Sequence, residues 1–153
     1  MAMRRGRLGT TVALLTAGLF WLVSAGGTQT AQTPETFRGR LSPVPISISM
    51  MATIAGSGSL TATLNGKQLT IQGSFEGLRS PATTVQIHRG PKGIPGPAIS
   101  DLYLTATKAV KGTIGGTLEL TPEQVSDLRN GLWYVQIQSE HAPDGNLWGW
   151  LLR

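Results

Sequence analysis

The amino-acid sequence predicts an all-β fold, an antiparallel β-sandwich that contains one short helix. From Phe37 onward, short apolar or alternating runs are separated by turn residues, which is the spacing typical of sandwiches and barrels. Two local signals support this assignment. An Asn-Gly pair between two alternating runs is typical of a β-hairpin, and one capping box is typical of a helix start.

The order of charged, apolar and small residues in the first 25 residues predicts a secretory signal. Three arginines precede an uncharged apolar run, residues 8–23, and residues 23–25 form a small-residue cleavage site. A membrane anchor is the alternative, but the run is shorter than the roughly 20 residues that span a bilayer. We expect a secreted or periplasmic protein beginning near Gly26, with residues 26–34 as a flexible lead-in and residues 35–153 as one domain.

Composition and charge exclude several classes of function. Removal of the three leader arginines lowers the formal net charge from +5 to +2, and no basic run remains to attract nucleic acid. The chain has no cysteine, which excludes thiol nucleophiles, iron–sulfur clusters and cysteine-ligated zinc. An exported protein without disulfides must be held together by its hydrophobic core.

The clearest structural element in the sequence is a β-hairpin. Leu60, Ala62 and Leu64 alternate with hydroxyl residues, and a return strand at residues 68–75 alternates again. The Asn65-Gly66 pair between them favours a type I′ turn, because both residues tolerate positive φ.

Further strands are predicted wherever apolar or alternating runs recur between turn residues. They cover residues 37–41, 46–54, 83–88, 102–105, 111–120, 132–138 and 147–152. Together with the hairpin, they supply enough strands for two packed sheets.

A short helix is predicted between two of these strands. Thr121 can cap the N-terminus with Gln124 completing a capping box, and Pro122 occupies the first helical position, where its missing N–H is harmless. The buried face is expected to carry Val125 and Leu128, and an Asn-Gly pair ends the helix. We expect the helix to connect the two sheets.

A histidine followed by a glycine-rich loop is the most informative motif. A β-branched run ends at His88, and glycine then recurs at every third position in Gly90, Gly93 and Gly96. With its other motifs, the chain resembles the chordin-type (CHRD) domain family over nearly the whole mature length. The segments that carry the resemblance are Phe37 and Leu41, and residues 75–78, 85–97, 121–128, 131–138 and 141–151.

The resemblance implies a module that acts through protein contacts, and we expect an immunoglobulin-like antiparallel β-sandwich. The chain departs from the family at polar positions. Gln86 and Gln138 stand where the family has histidine, and Trp148 and Trp150 stand where it has arginine and glutamine. These departures weaken the metal role that a likeness of the family to copper–zinc superoxide dismutase would suggest.

The two histidines are the candidate metal ligands. His88 ends a strand beside Arg89, and His141 lies in a loop that also contains Glu140 and Asp144. Imidazole and carboxylate groups bind zinc and copper, but two histidines cannot fill a tetrahedral site without help. A hydrogen-bonded structural or surface role is the alternative, and we predict no metal and no cofactor.

Trp148 and Trp150 are two residues apart on a predicted strand, so both side chains project from the same face. An exposed pair would form an aromatic platform for a sugar or a partner surface. A buried pair would be ordinary packing, which the usual burial of tryptophan favours. We expect Leu147, Leu151 and Trp133 to face the core.

These observations predict an exported binding or structural module without catalytic residues. No serine stands in a Gly-x-Ser-x-Gly setting. The alternatives are a metal-dependent redox protein of the dismutase kind and a carbohydrate-binding module. The partner is expected to be an extracytoplasmic protein or glycan, with a membrane involved only if the signal is not cleaved. The candidate ligand-binding residues are His88, Arg89, His141, Trp148 and Trp150.

Overall fold

The computed structural model describes residues 33–45 and 47–153. In this part of the chain, nine antiparallel strands form one sheet, accompanied by a single α-helix and one 3-10 turn at Ile48–Met50. The predicted signal, residues 1–25, and the lead-in up to residue 32 lie outside the described residues. The strands are β1 (Glu35–Pro43), β2 (Ser57–Asn65), β3 (Gln68–Glu76), β4 (Ala82–Arg89), β5 (Ala98–Tyr103), β6 (Thr105–Ala106), β7 (Gly112–Glu119), β8 (Trp133–Ser139) and β9 (Ala142–Trp150), and the helix is α1 (Pro122–Arg129).

Strand β1 joins the two halves of the sheet. The strand order is β5-β4-β8-β9-β1-β2-β3-β7-β6. β1 pairs with β2 from Glu35 to Leu41, and only its last two residues, Ser42 and Pro43, pair with β9. Side chains from both halves meet in one core cluster, so the sheet is sandwich-like. The all-β, antiparallel prediction with one short helix is confirmed.

The alternation in the hairpin determines which side chains enter the core. Leu60, Ala62 and Leu64 are buried, and they pair across the ladder with β3, whose Leu69 and Ile71 are also buried. The hydroxyl residues between them project from the opposite face. Burying such aliphatic side chains contributes about 1.5–3 kcal/mol each, which is the main stabilising term in a chain without disulfides.

The helix follows its sequence signals. The Thr121 hydroxyl accepts a hydrogen bond from the Gln124 N–H, and the Gln124 side-chain oxygen accepts one from the Thr121 N–H. Val125 and Leu128 are buried. Helix α1 follows β7 in one half of the sheet and precedes β8 in the other, as predicted.

Strands β8 and β9 are covered on both faces. One face of the pair contributes Trp133, Leu147 and Leu151 to the main core, which confirms the prediction for these three residues. The opposite face carries a second buried cluster, the aromatic layer, which consists of Tyr134, Trp148 and Trp150. The glycine-rich segment after β4 lies against this layer.

The predicted strand at residues 46–54 is wrong. Residues 48–50 form the 3-10 turn, with hydrogen bonds from the Met50 N–H to the Ser47 carbonyl and from the Met51 N–H to the Ile48 carbonyl. β1 ends at Pro43, and Pro45 follows shortly after it. Proline has no N–H to donate to a ladder, so the strand does not continue here. The apolar alternation was misleading because Ile48 projects into solvent.

Three other boundaries differ from the predictions. The predicted strand at residues 102–105 is divided between β5 and β6, with Leu104 between them, and β9 begins at Ala142 instead of residue 147. The hairpin turn consists of Gly66 and Lys67, one residue later than predicted, because Asn65 still pairs with Gln68. Gly66 has φ +63°, so the requirement for positive φ is retained at this residue.

We predict that Gly66→Val lowers the free energy of unfolding by about 1–3 kcal/mol, because a β-branched side chain is strained at positive φ. Gly66→Asn is the matched control and should lose less stability, since asparagine tolerates the left-handed region. Chemical denaturation measures both. Equal midpoints for the wild type and the valine variant would contradict the conformation of this turn.

Candidate functional site

The aromatic layer lies on the outer side of β8 and β9, where Trp148 packs edge to face against Tyr134 and Trp150. Tyr134 pairs with Trp150 in the ladder, and their ring centroids are 4.6 Å apart. The rings of Trp148 and Trp150 are also 4.6 Å apart, at an interplanar angle of 67°. Trp148 and Trp150 are only 9% and 8% exposed. The two side chains therefore share a face, as predicted. Of the two alternatives, an exposed platform and a buried pair, the structure shows the buried pair.

The segment after β4, residues 90–97, covers this layer and is called the glycine loop. The Trp150 indole N–H donates to the Gly90 carbonyl at 2.9 Å. The Tyr134 hydroxyl donates to the Gly96 carbonyl at 3.1 Å and accepts from the Gly96 N–H at 3.0 Å. A side chain at Gly96 would meet the Arg89 carbonyl oxygen, because an added Cβ would lie 1.8 Å from it. Glycine is therefore required where the loop closes onto the layer.

His88 is part of the same closure. Its ring stacks on Tyr134 with centroids 5.0 Å apart, and its Nδ1 lies 2.9 Å from the Gly96 carbonyl oxygen. Since a carbonyl only accepts, Nδ1 carries the proton in this contact. Its Nε2 is buried and has no hydrogen-bond partner in the described part of the chain. The structure therefore gives His88 a role in holding the loop.

Arg89 forms an ion pair on the surface. Its Nε and Nη2 donate to the two carboxylate oxygens of Asp127 at 2.5 and 3.1 Å. These hydrogen bonds and the charge of Asp127 raise the pKa of Arg89 above its ordinary value. The guanidinium is thus already paired within the protein.

His141 lies far from His88. His88 pairs with Tyr134, whereas Ala82 at the other end of β4 pairs with Ser139, next to the His141 turn. Six residues of strand separate these ends, a length of about 20 Å. His141 is exposed, and its backbone N–H donates to the Ser80 hydroxyl at 2.9 Å. The fold does not bring the two histidines together.

A groove of about 340 Å³ lies beside the aromatic layer and is called the cationic groove. Trp148 and Trp150 line it together with Arg38 and Arg40 of β1 and Lys92 of the glycine loop. None of these three cations forms an ion pair with a described residue, and no carboxylate lines the groove. The site therefore carries three uncompensated positive charges over an apolar floor.

These three cations were not among the candidate residues predicted from the sequence. Alternation in β1 places Arg38 and Arg40 on the face opposite Phe37 and Leu41, and this signal was readable. Their position beside the tryptophans depends on the pairing of Ser42 with Trp148, which no local pattern indicates.

A second depression of about 240 Å³, the apolar cleft, lies on another side of Trp148. The segment after β1 contributes Val44, Pro45 and Met50, and the glycine loop contributes Pro95. Its polar edge is formed by Gln136, whose side-chain N–H donates to the Asp144 carbonyl at 2.9 Å. This cleft can accept one apolar side chain.

Residues 43–151, which include all but the first and last residues of the described domain, match the model of the CHRD domain family. The chain belongs to the CHRD domain family. CHRD domains are non-catalytic modules and are typically extracellular. No curated protein and no solved structure matches the chain. Among the described residues, no helix is long and apolar enough to cross a membrane.

In this CHRD domain, the two glutamines at the expected histidine positions bind each other. The Gln138 side-chain N–H donates to the Gln86 side-chain oxygen at 3.0 Å. Each amide thus has a partner on the outer face of β4 and β8. Among the residues that the structure describes, no three side chains of the metal-binding types His, Cys, Asp and Glu lie close enough together to hold an ion.

We predict that CHRD protein purified without chelator contains no stoichiometric zinc or copper and gains no dismutase activity when either metal is added. His88 donates one nitrogen to Gly96, and His141 lies at the far end of the ladder, so two imidazoles cannot share an ion. Elemental analysis measures the metal content. One tightly held ion per chain, lost in His88→Ala and retained in His141→Ala, would contradict this prediction.

Proposed function

We propose that this CHRD domain is an exported, non-enzymatic binding module that acts through contacts with a partner protein. The observation that carries the proposal is the apolar surface at the cleft beside Trp148. Among the described residues, five large hydrophobic side chains are exposed, and three of them lie on the two segments that border this cleft. They are Ile48, Met51 and Ile94, with exposed fractions of 91%, 57% and 58%.

The composition of this surface suits a protein partner. Ile48 and Met51 belong to the same turn as Met50, and Ile94 precedes Pro95, so each of the two segments that line the cleft also carries exposed apolar groups. Methionine is unbranched and adapts to irregular partner surfaces. A buried tryptophan at the centre of an apolar contact, with polar groups at its edge, is the usual arrangement of a binding hot spot.

Three observations support export and the absence of catalysis. The family consists of non-catalytic and typically extracellular modules. The charged, apolar and small-residue order of residues 4–25 supports secretion through a cleaved signal. The groups that could act as acid, base or nucleophile near the aromatic layer are engaged in structure: His88 binds Gly96, and Arg89 binds Asp127.

The experiment compares three forms of the protein. Each form is used to capture binding proteins from the extracytoplasmic fraction and the culture medium of a host that secretes it. The wild type and Val110→Ser should retain a common partner, because Val110 is 43% exposed but lies in the loop between β6 and β7, in the other half of the sheet from β8 and β9. The double variant Ile48→Ser/Met51→Ser should bind the purified partner at least tenfold more weakly in calorimetry. Tenfold corresponds to about 1.4 kcal/mol, less than the full burial of one such side chain contributes.

The two substituted side chains project into solvent, so the double variant should retain the thermal stability of the wild type. A partner that binds the wild type and the double variant with equal affinity would contradict the proposed contact surface. Failure to retain any protein from either fraction would contradict a function through protein contacts.

A further inference from the structure

A second groove continues from the cationic groove across the outer face of the sheet. This hydroxyl groove has a volume of about 680 Å³ and is lined by Ser59, Ser74 and Thr113, with Glu76 and Lys111 at one end. Arg40 lines both grooves. The two grooves therefore meet at Arg40, and together they form one continuous surface that we call the cationic track.

The track collects most of the free positive charge of the domain. The chain has ten lysines and arginines after the leader, and three of them, Arg89, Arg129 and Arg153, form ion pairs. Of the remaining seven, four line the track, against one carboxylate. These cations are Arg38, Arg40, Lys92 and Lys111, and the carboxylate is Glu76.

The track runs across the strands and not along them. Arg40 pairs with Ser59, Ser59 with Ser74, and Ser74 with Thr113, which places four polar side chains in one row over β1, β2, β3 and β7. On the other side of β1, Trp148 of β9 pairs with Ser42, which lies two residues from Arg40 on the same face of β1. Five neighbouring strands at about 4.8 Å spacing give a length of about 19 Å. This length suits a linear polymer better than a single small molecule.

The chemistry of the lining distinguishes between polymers. Backbone N–H and C=O groups of these strands are used in the sheet, so only side chains are available to a ligand on this face. An extended acidic peptide has backbone amides of its own, and this face of the sheet offers no free backbone groups to hydrogen-bond with them. A polysaccharide brings hydroxyl groups that can pair with serine and threonine, and carboxylate or sulfate groups that guanidinium binds in a bidentate manner.

We propose that the cationic track binds a linear anionic polysaccharide whose carboxylate or sulfate groups pair with Arg38, Arg40 and Lys92. The hydroxyls of Ser59, Ser74 and Thr113 contact the neighbouring sugar units, and the edges of Trp148 and Trp150 form an apolar floor. This site is separate from the apolar cleft except for Trp148. An exported module would thereby be retained in an acidic polysaccharide layer while it contacts its protein partner.

The test measures binding of the full mature chain to four polymers by calorimetry: polygalacturonate, dextran sulfate, neutral dextran and poly-glutamate. We expect binding to polygalacturonate, dextran sulfate or both, and at least tenfold weaker binding to neutral dextran and poly-glutamate. The two acidic polysaccharides distinguish carboxylate from sulfate recognition. The affinity should fall as salt rises, because the contacts are between charges at the surface.

Matched variants that each change one charged residue distinguish a specific binding site from general electrostatic attraction. Arg40→Gln should weaken binding at least tenfold, and Arg40→Lys should restore part of it by keeping the charge without the bidentate geometry. Lys67→Gln removes the same charge at the turn between β2 and β3, at the far end of these strands from the track, and should stay within twofold of the wild type. Both side chains are exposed, so equal melting temperatures verify the fold.

Three outcomes would overturn the proposal. They are the absence of binding to both acidic polysaccharides, equal losses in Arg40→Gln and Lys67→Gln, and binding of poly-glutamate as tight as that of the polysaccharides. None of these measurements involves Ile48 or Met51. A negative result for the polysaccharide site would therefore leave the proposed protein contact untouched, since that contact is tested by the Ile48→Ser/Met51→Ser variant.

Discussion

Closure of the glycine loop over the aromatic layer is the interaction on which the rest of this surface depends. Both polar backbone atoms of Gly96 are bound by the Tyr134 hydroxyl, and the carbonyl also contacts His88. The Trp150 indole holds the other end of the loop at Gly90. These hydrogen bonds lie in a largely buried site, where leaving a donor or acceptor unpaired costs about 1–3 kcal/mol. The loop is therefore fixed to the sheet.

The position of this loop decides what the surface can do. With the loop closed, Trp148 and Trp150 are covered and cannot act as a stacking platform, and His88 is engaged in structure. The loop also brings Lys92 to the groove that contains Arg38, and Pro95 to the apolar cleft. One structural feature thus prevents the aromatic faces and the His88 imidazole from stacking on a ligand, and it helps to form the two depressions that Trp148 lines.

Local patterns in the sequence predicted most of the fold. Alternation identified β2 and β3, and the capping box around Thr121 identified α1, because such signals act over a few residues. Alternation failed after Pro43, where apolar residues at a 3-10 turn project into solvent. Composition alone does not distinguish an exposed apolar loop from a strand, and only the tertiary contacts decide.

The candidate site was less predictable than the fold. Two tryptophans on one face followed from their spacing, but their burial depends on a loop that returns from another strand. Arg38 and Arg40 meet the tryptophans only because the end of β1 pairs with β9, far away in sequence. Long-range strand pairing leaves no local trace in a single sequence, so the cationic groove could not be located from it.

Amide hydrogen exchange in Tyr134→Phe tests the central role of loop closure most directly. Removing the hydroxyl leaves the Gly96 N–H without its partner while the ring continues to pack, so the amides of the glycine loop should exchange at least tenfold faster than in the wild type. The amides of β2 and β3 should change much less, and Tyr103→Phe, which removes an exposed hydroxyl, should leave the loop unchanged. Wild-type exchange rates in the glycine loop of Tyr134→Phe would contradict the account.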